Sequence, residues 1–203
     1  MAPAQNLPDA EVRARLAARH VAILGCGGLG SNVAVMLVRA GVRELTLADF
    51  DTVAEENLNR QHFFARHIGM FKTDALADQL HEIGPELALH ASTERITAEN
   101  LAALVAGADV IVEAVDTAET KALIDNVCTA EFPDTPLVSV SGLAGYGPAN
   151  QIQTMRLTDT FYVVGDLESD IRQGHSLLAS RVMVAAAHQA HAVVRLLLGF
   201  PEV

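Results

Sequence analysis

The feature that most constrains this chain is a glycine-rich loop placed directly after an apolar run. Residues 20–25 read HVAILG, and Gly25-Cys26-Gly27-Gly28-Leu29-Gly30 follows at once. Leu29, Val33, Leu37 and Ala40 then recur at helical spacing, so residues 28–40 are expected to be a helix, ended by Gly41. A buried strand that turns on glycines into a helix is the opening unit of a nucleotide-binding α/β sheet. Glycines permit the tight turn, and they let backbone N–H groups at the helix start approach a phosphate chain. Gly25, Gly27 and Gly30 satisfy G-x-G-x-x-G, and Asp49 closes the next apolar run as the expected partner of ribose hydroxyls. The plain alternative is a glycine turn that serves only strand–helix packing. The glycine pattern by itself leaves a dinucleotide such as NAD and a mononucleotide equally open.

The rest of the chain repeats the alternation. Strands are expected at 44–49, 87–91, 109–114 and 137–141, and helices at 72–83, 98–106 and 117–132. Asp9 is the expected N-cap of a short leading helix that ends near Ala18. Continuous apolar strands joined by helices imply a Rossmann-like, mostly parallel sheet with helices on both faces. After Gly142 the pattern changes. Residues 151–156 and 161–164 alternate as a C-terminal antiparallel pair, 165–179 is a polar loop, and 180–198 is a final helix apolar almost all round. We expect one domain over residues 1–203: an N-terminal helical arm (1–19), the sheet core (20–142), and the C-terminal strands, crossover loop and helix (143–203).

Composition narrows the classes of function. Half of the 203 residues are hydrophobic, which excludes a disordered chain. Fourteen basic against twenty-five acidic residues give a net charge of −11, which opposes binding to nucleic acid or to an anionic membrane. Aromatic residues are only 4%, too few for a base-stacking surface. Two cysteines, Cys26 and Cys128, build neither a disulfide framework nor a four-cysteine zinc site. No apolar run reaches the length of a membrane span. A cytoplasmic protein is expected.

The segment after Asp49 holds Asn57, Arg60, Gln61 and Lys72, and Lys72 is one of only two lysines in the chain. An amide, a guanidinium and an ammonium close behind a ribose-binding strand suit a triphosphate, whose charge must be held and whose phosphorus must be oriented. A solvated loop with surface charges is the bland reading of the same residues.

These residues carry a resemblance. GCGGLGSNVAVMLVRAGV, ADFDTVAEENLNRQ, IGMFK and VEAVDTAETK together resemble the ThiF/MoeB superfamily, relatives of the ubiquitin-activating enzymes. SGLAGYGPANQIQT and GHSLLASRV look like its short ThiF type, whose members adenylylate the sulfur carrier ThiS in thiamine thiazole biosynthesis. The similarity runs over about residues 10–198. It implies ATP and Mg²⁺ rather than NAD. Gly25, Gly27, Gly28 and Gly30 would sit by the phosphates and Asp49 on the ribose. Asn57, Arg60 and Lys72 would form the triphosphate-binding and catalytic set, with Gln61 in support. Asp116 would hold the metal; as a plain structural role it would favour a helix dipole.

The implied reaction is adenylylation of the C-terminal glycine carboxylate of a small ubiquitin-like carrier with a Gly-Gly tail. The implied assembly is a homodimer buried partly through 180–198, with Arg13, Arg15 or Arg19 offered to the partner copy. The alternatives are an NAD-dependent oxidoreductase and a non-catalytic carrier-binding subunit. A superfamily branch that adenylylates a modified tRNA base fits the acidic balance poorly. The chain departs from longer relatives in lacking CxxC pairs, so no zinc is expected. It also has no cysteine over residues 158–180, so no covalent enzyme–carrier step is expected. The histidine pairs His62/His67 and His188/His191 supply too few ligands for a metal.

Overall fold

The structure is a computed structural model that describes residues 7–202, apart from the side chain of Gln173. The first six residues of the expected N-terminal arm lie outside the described residues. Helix α1 spans Asp9–Ala17, followed by β1 (His20–Leu24), α2 (Gly30–Ala40) and β2 (Glu44–Ala48). Then come α3 (Lys72–Ile83), β3 (Ala88–Ser92), α4 (Ala98–Val105), β4 (Val110–Glu113), α5 (Ala118–Glu131) and β5 (Leu137–Val140). The C-terminal part holds β6 (Gln153–Arg156), β7 (Phe161–Gly165) and α6 (Ala179–Leu197).

One seven-stranded sheet has the order β3-β2-β1-β4-β5-β7-β6. Strands β1 and β4 are buried on both faces, which explains why Val21–Leu24 and Val110–Val112 carry apolar residues without alternation. Helices α1, α2, α3 and α6 contribute to one apolar layer, and α4 and α5 to the other. The strand order reverses between β1 and β4, which are parallel neighbours in register from Val21↔Val110 to Leu24↔Glu113. Such a reversal leaves a crevice beyond the carboxyl ends of these strands.

Local chemistry sets the element ends. Gly41 takes φ +119° and donates its N–H to the Leu37 and Val38 carbonyls, so α2 stops there. Thr117 caps α5 by accepting the Thr120 N–H. The expectation for α1 needs correction: Pro8, not Asp9, is the cap. The Pro8 carbonyl accepts the N–H groups of Glu11 and Val12, and Asp9 lies inside the first turn, where its charge favours the helix dipole.

Two further features of the C-terminal part were not specified by the sequence. Strand β6 is antiparallel to β7 as expected, but β7 runs parallel to β5. The chain leaves β5, reaches the sheet edge to form β6, and turns back to fill the place between. Helix α6 is not enclosed on all sides. Val182, Ala185, Ala186, Gln189, Ala190 and Val193 are buried, whereas Met183, Ala187 and His191 form an exposed stripe. The buried stripe is rich in alanine, and this lets α6 lie close against α2.

Two charged pairs are built into the packing. Arg181 and Asp166 meet at 2.5 Å with side chains only 4% and 11% exposed. Arg181 also donates to the carbonyls of Gly147 (2.8 Å) and Pro148 (3.2 Å), fastening the glycine-rich loop after β5 to the start of α6. The second pair is Glu113 with Lys121, beside Asp125 on α5. Burial and the Glu113 charge push Asp125 from 3.8 up to about 6. Its Oδ1 is buried with no hydrogen-bond partner.

Folded Asp125 therefore holds its proton more tightly than the unfolded chain does. Its favourable contribution is complete below about pH 4 and is lost as pH rises through about 6. Asp125→Asn is expected to raise stability at pH 7.5 by about 1 kcal/mol, a figure reduced for its partial exposure. That is about 2–4 °C in Tm. The gain should vanish at pH 4; an equal gain at both pH values in calorimetric melts would show that the carboxylate is not the source.

Candidate active site at the mouth of the sheet

The glycine loop is held by backbone approach. A Cβ on Gly30 would stand 1.8 Å from the Gly25 carbonyl oxygen, and one on Gly25 would stand 2.6 Å from the Ala114 carbonyl oxygen. Both glycines are required by the fold itself. Gly27 is different, because a Cβ there would meet only the Gln61 amide nitrogen at an ordinary 3.7 Å. Among the described residues, nothing accepts the N–H groups of Gly27, Gly28 and Leu29, which lead into α2. Unpaired donors at a helix N-terminus, with the positive end of the helix dipole behind them, form an anion-binding cradle.

Asp49, just past β2, faces this loop. Its carboxylate accepts the Cys26 N–H at 2.6 Å and the Asp51 N–H at 2.9 Å. Burial raises its pKa, while the nearby Lys72 ammonium and the two N–H donors oppose that rise. Asp49, expected as the partner of ribose hydroxyls, thus also shapes the loop. Lys72 starts α3 and is 6% exposed. Its Nζ lies 2.7 Å from Asp51 Oδ2, and its N–H donates to the Asp51 carbonyl. Asp51 was missed as a site residue; its signal was a second carboxylate in DFD, two residues after Asp49.

The turn at 57–61 joins the loop from the other side. Asn32 donates to the carbonyls of Gly28 (2.7 Å) and Arg60 (3.2 Å). The Arg60 stem passes over Gly28, with Cγ 3.5 Å from the place of a Cβ there. Its guanidinium reaches the Glu56 carbonyl and Asn59 Oδ1 but pairs with no carboxylate among the described residues, so its charge is unspent there. Gln61 is buried beside Gly27, and its Oε1 has no partner. Asn57 turns inward: its Oδ1 accepts the Ala54 N–H at 3.0 Å and closes a single 3₁₀ turn, Glu55–Asn57.

Asp116 lies two residues beyond the Ala114 carbonyl that abuts Gly25. It is exposed and, among the described residues, has no hydrogen-bond or ion-pair partner. Among the described residues, no three His, Cys, Asp or Glu side chains converge as a metal-binding cluster. A lone carboxylate suits a cation such as Mg²⁺, which takes most of its ligands from water and substrate phosphates.

The remaining candidates are structural. Burial and the Asp49 charge push the Cys26 thiol well up, and burial pushes Cys128 to about 12, so neither is a ready nucleophile. His62 bonds Gln79, and His188 bonds Thr154. Arg15 pairs with Glu11 and Arg19 with Asp109, whereas Arg13 is exposed with no ion pair among the described residues. No helix among the described residues is long and apolar enough to cross a membrane.

Comparison with known proteins places this geometry. The chain is 32% identical over 143 residues to tRNA threonylcarbamoyladenosine dehydratase of Escherichia coli (strain K12), covering 70% of this chain and 53% of that protein. It is 38% identical over 129 residues to the sulfur carrier protein ThiS adenylyltransferase of the same organism, covering 63% and 50%. The chain thus spans about half the length of these two relatives. Among solved structures, the E. coli tRNA N6-threonylcarbamoyladenosine dehydratase in complex with ATP superposes with a TM-score of 0.84 at 22% identity, covering 93% of this chain and 89% of that one. E. coli MccB with ATP superposes with a TM-score of 0.75 at 23% identity, covering 95% and 60%. At that identity the superpositions establish the fold, and they match its mostly parallel sheet with a C-terminal antiparallel edge. The ThiF family model matches residues 3–203, and the chain belongs to the ThiF family.

Proposed function

We propose that this chain is an ATP-dependent adenylyltransferase that activates the C-terminal glycine carboxylate of a small ubiquitin-like sulfur carrier of the ThiS kind. The observation that carries this reading is the set of unpaired N–H groups at Gly27, Gly28 and Leu29, beside an open Gly27 and the cations Arg60 and Lys72. The solved dehydratase and MccB structures with ATP share the fold, and a 38% identical relative is named for adenylyl transfer to ThiS.

In the proposed reaction a carrier carboxylate oxygen bonds to the α-phosphorus of ATP as the bond to the bridging oxygen breaks. The electron pair leaves with pyrophosphate, and the carrier becomes an acyl adenylate. The attacking carboxylate is ionised at neutral pH, so no general base is needed. The difficulty is the meeting of two anions, which positioning and fixed positive charge relieve. The loop N–H groups hold phosphate oxygens. Arg60 adds its unpaired charge, and Lys72 exchanges Asp51 for phosphate. Gln61 offers its orphan oxygen to the nucleotide, and Asp49 keeps one loop geometry while facing the ribose. Mg²⁺, when bound, would supply charge neutralisation to the departing pyrophosphate, and Asp116 would hold it. Asn57 serves by fixing the turn that carries Arg60.

A homodimer follows the same reading. The exposed stripe of Met183, Ala187 and His191 on α6 supplies an uncovered face, and the unpaired Arg13 is the arginine to offer a partner copy. A sedimentation mass near 22 kDa at high concentration would exclude it. A tRNA substrate is the second reading, favoured by 33% and 32% identity to two tRNA dehydratases and opposed by the net charge of −11. Mass spectrometry decides between them: AMP added to the terminal glycine of a carrier supports the first, and ATP-dependent loss of one water from a modified tRNA nucleoside, with AMP released, supports the second.

Lys72→Ala and Asp116→Ala should each reduce carrier-dependent ATP–pyrophosphate exchange by at least about 100-fold while leaving the circular dichroism unchanged. Normal exchange in both would overturn the site assignment. The glycines should separate fold from ligand. Gly30→Ala is expected to prevent folding, because its Cβ would overlap backbone. Gly27→Ala should melt within about 2 °C of the parent. It should nonetheless bind ATP at least tenfold more weakly in calorimetry; unaltered affinity would show that the phosphates lie elsewhere, and tighter binding of NAD than of ATP by the parent would favour an oxidoreductase.

A further inference from the structure

Glu113 is the only charged residue in the apolar strand β4, and its side chain is fully buried. Packing alone would favour an apolar residue there, since a buried carboxylate loses its hydration. Its two oxygens are used separately. Oε1 accepts the Val115 N–H at 2.9 Å and so closes the turn that leads to Asp116. Oε2 accepts the Ser139 hydroxyl at 2.6 Å and the Val140 N–H at 3.4 Å, both from β5, and the Lys121 ammonium from α5. The Glu113 carbonyl accepts the Gln189 amide of α6 at 2.8 Å, and that amide also reaches the Val138 carbonyl. The carboxylate is therefore fixed by β5 and α5, and its backbone by α6.

The turn it closes is wedged on its other side by the glycine loop, with Ala114 against Gly25. The Asp116 side chain, by contrast, has no hydrogen-bond or ion-pair partner among the described residues. The place of its carboxylate is inherited from the backbone of that turn.

We propose that Glu113 is a positioning residue: through the Val115 N–H, and backed by Ser139 and Lys121, it sets the Asp116 carboxylate where a divalent cation on the nucleotide can be held. The proposal rests on the adenylyltransferase reading for the presence of that cation. A brace that only stabilised the fold would leave the affinity of the folded protein for the metal unchanged.

The test is calorimetric binding of the non-hydrolysable nucleotide AMPCPP with and without Mn²⁺, in proteins whose fold is checked by circular dichroism. Glu113→Ala should weaken the Mn²⁺-dependent part of the affinity about tenfold, with metal-free AMPCPP affinity within about twofold of the parent. Glu113→Gln should restore only part of it, because the amide oxygen still accepts the Val115 N–H but the amide nitrogen, at the place of Oε2, faces the Lys121 ammonium and the Val140 N–H. Ser139→Ala, which only removes one donor from Oε2, should show a smaller loss, about threefold, and it decides the matter if Glu113→Ala does not fold. Parent-like Mn²⁺ dependence in Ser139→Ala and in folded Glu113→Ala would overturn the proposal while leaving the adenylyltransferase reading intact. Parent-like Mn²⁺ dependence in Asp116→Ala, or no AMPCPP binding by the parent, would overturn that reading and the brace with it.

Discussion

The whole site depends on how closely the backbone folds upon itself at the end of β1. The Gly25 carbonyl comes so near to Gly30 that no side chain can stand between them. That approach aims the start of α2 at the crevice between β1 and β4, and leaves the N–H groups of Gly27, Gly28 and Leu29 facing outward. It also presses Gly25 against the Ala114 carbonyl, so the loop and the β4–α5 turn form one continuous surface. The anion cradle and the Asp116 turn are thus products of one steric constraint, not two separate devices.

Around this constraint the charges are arranged in opposed pairs. Asp49 draws the Cys26 N–H toward itself and fixes the loop. Lys72 is buried, and Asp51 compensates it. Arg60 has no acidic partner, and Asp116 has no basic one. Under the proposed function, a site that keeps one cation neutralised and another cation and one anion unspent would suit a ligand that brings both negative charge and a metal ion. Preformed charges of this kind need little rearrangement when the ligand arrives.

The legible part of the fold was that governed by neighbours in sequence. The run HVAIL, the glycine that stops α2 and the start of α3 at Lys72 all stand where period and cap chemistry place them. One expectation failed locally, at the α1 cap, and what the sequence left unspecified was decided by distant residues. Pro8 displaced Asp9 as the α1 cap because the Pro8 carbonyl was free to accept two N–H groups. Strand β7 runs parallel to β5 because the chain first visits the sheet edge, and nothing in residues 161–165 records that detour. Alternation tells which side chains face the core, not which strand lies alongside. In the site, the glycines, Asp49, Arg60, Gln61 and Lys72 were visible as residue types in one stretch of chain. The inward turn of Asn57 and the pairing of Lys72 with Asp51 were not, since both arise from where the 50–71 segment folds back.

What the sequence by itself determined is the alternation of strand and helix, the glycine loop that must lie between the first of each, and the set of polar groups brought along behind it. These follow from side-chain volume, period and backbone freedom, which act over a few residues. Only the tertiary structure decided which polar groups have partners. Glu113 is a lone charge in an apolar strand, and β5, α5 and α6 close around it. Hydrogen-bond satisfaction is a property of groups that meet in space, and those that meet at Glu113 come from positions up to 76 residues away in the chain.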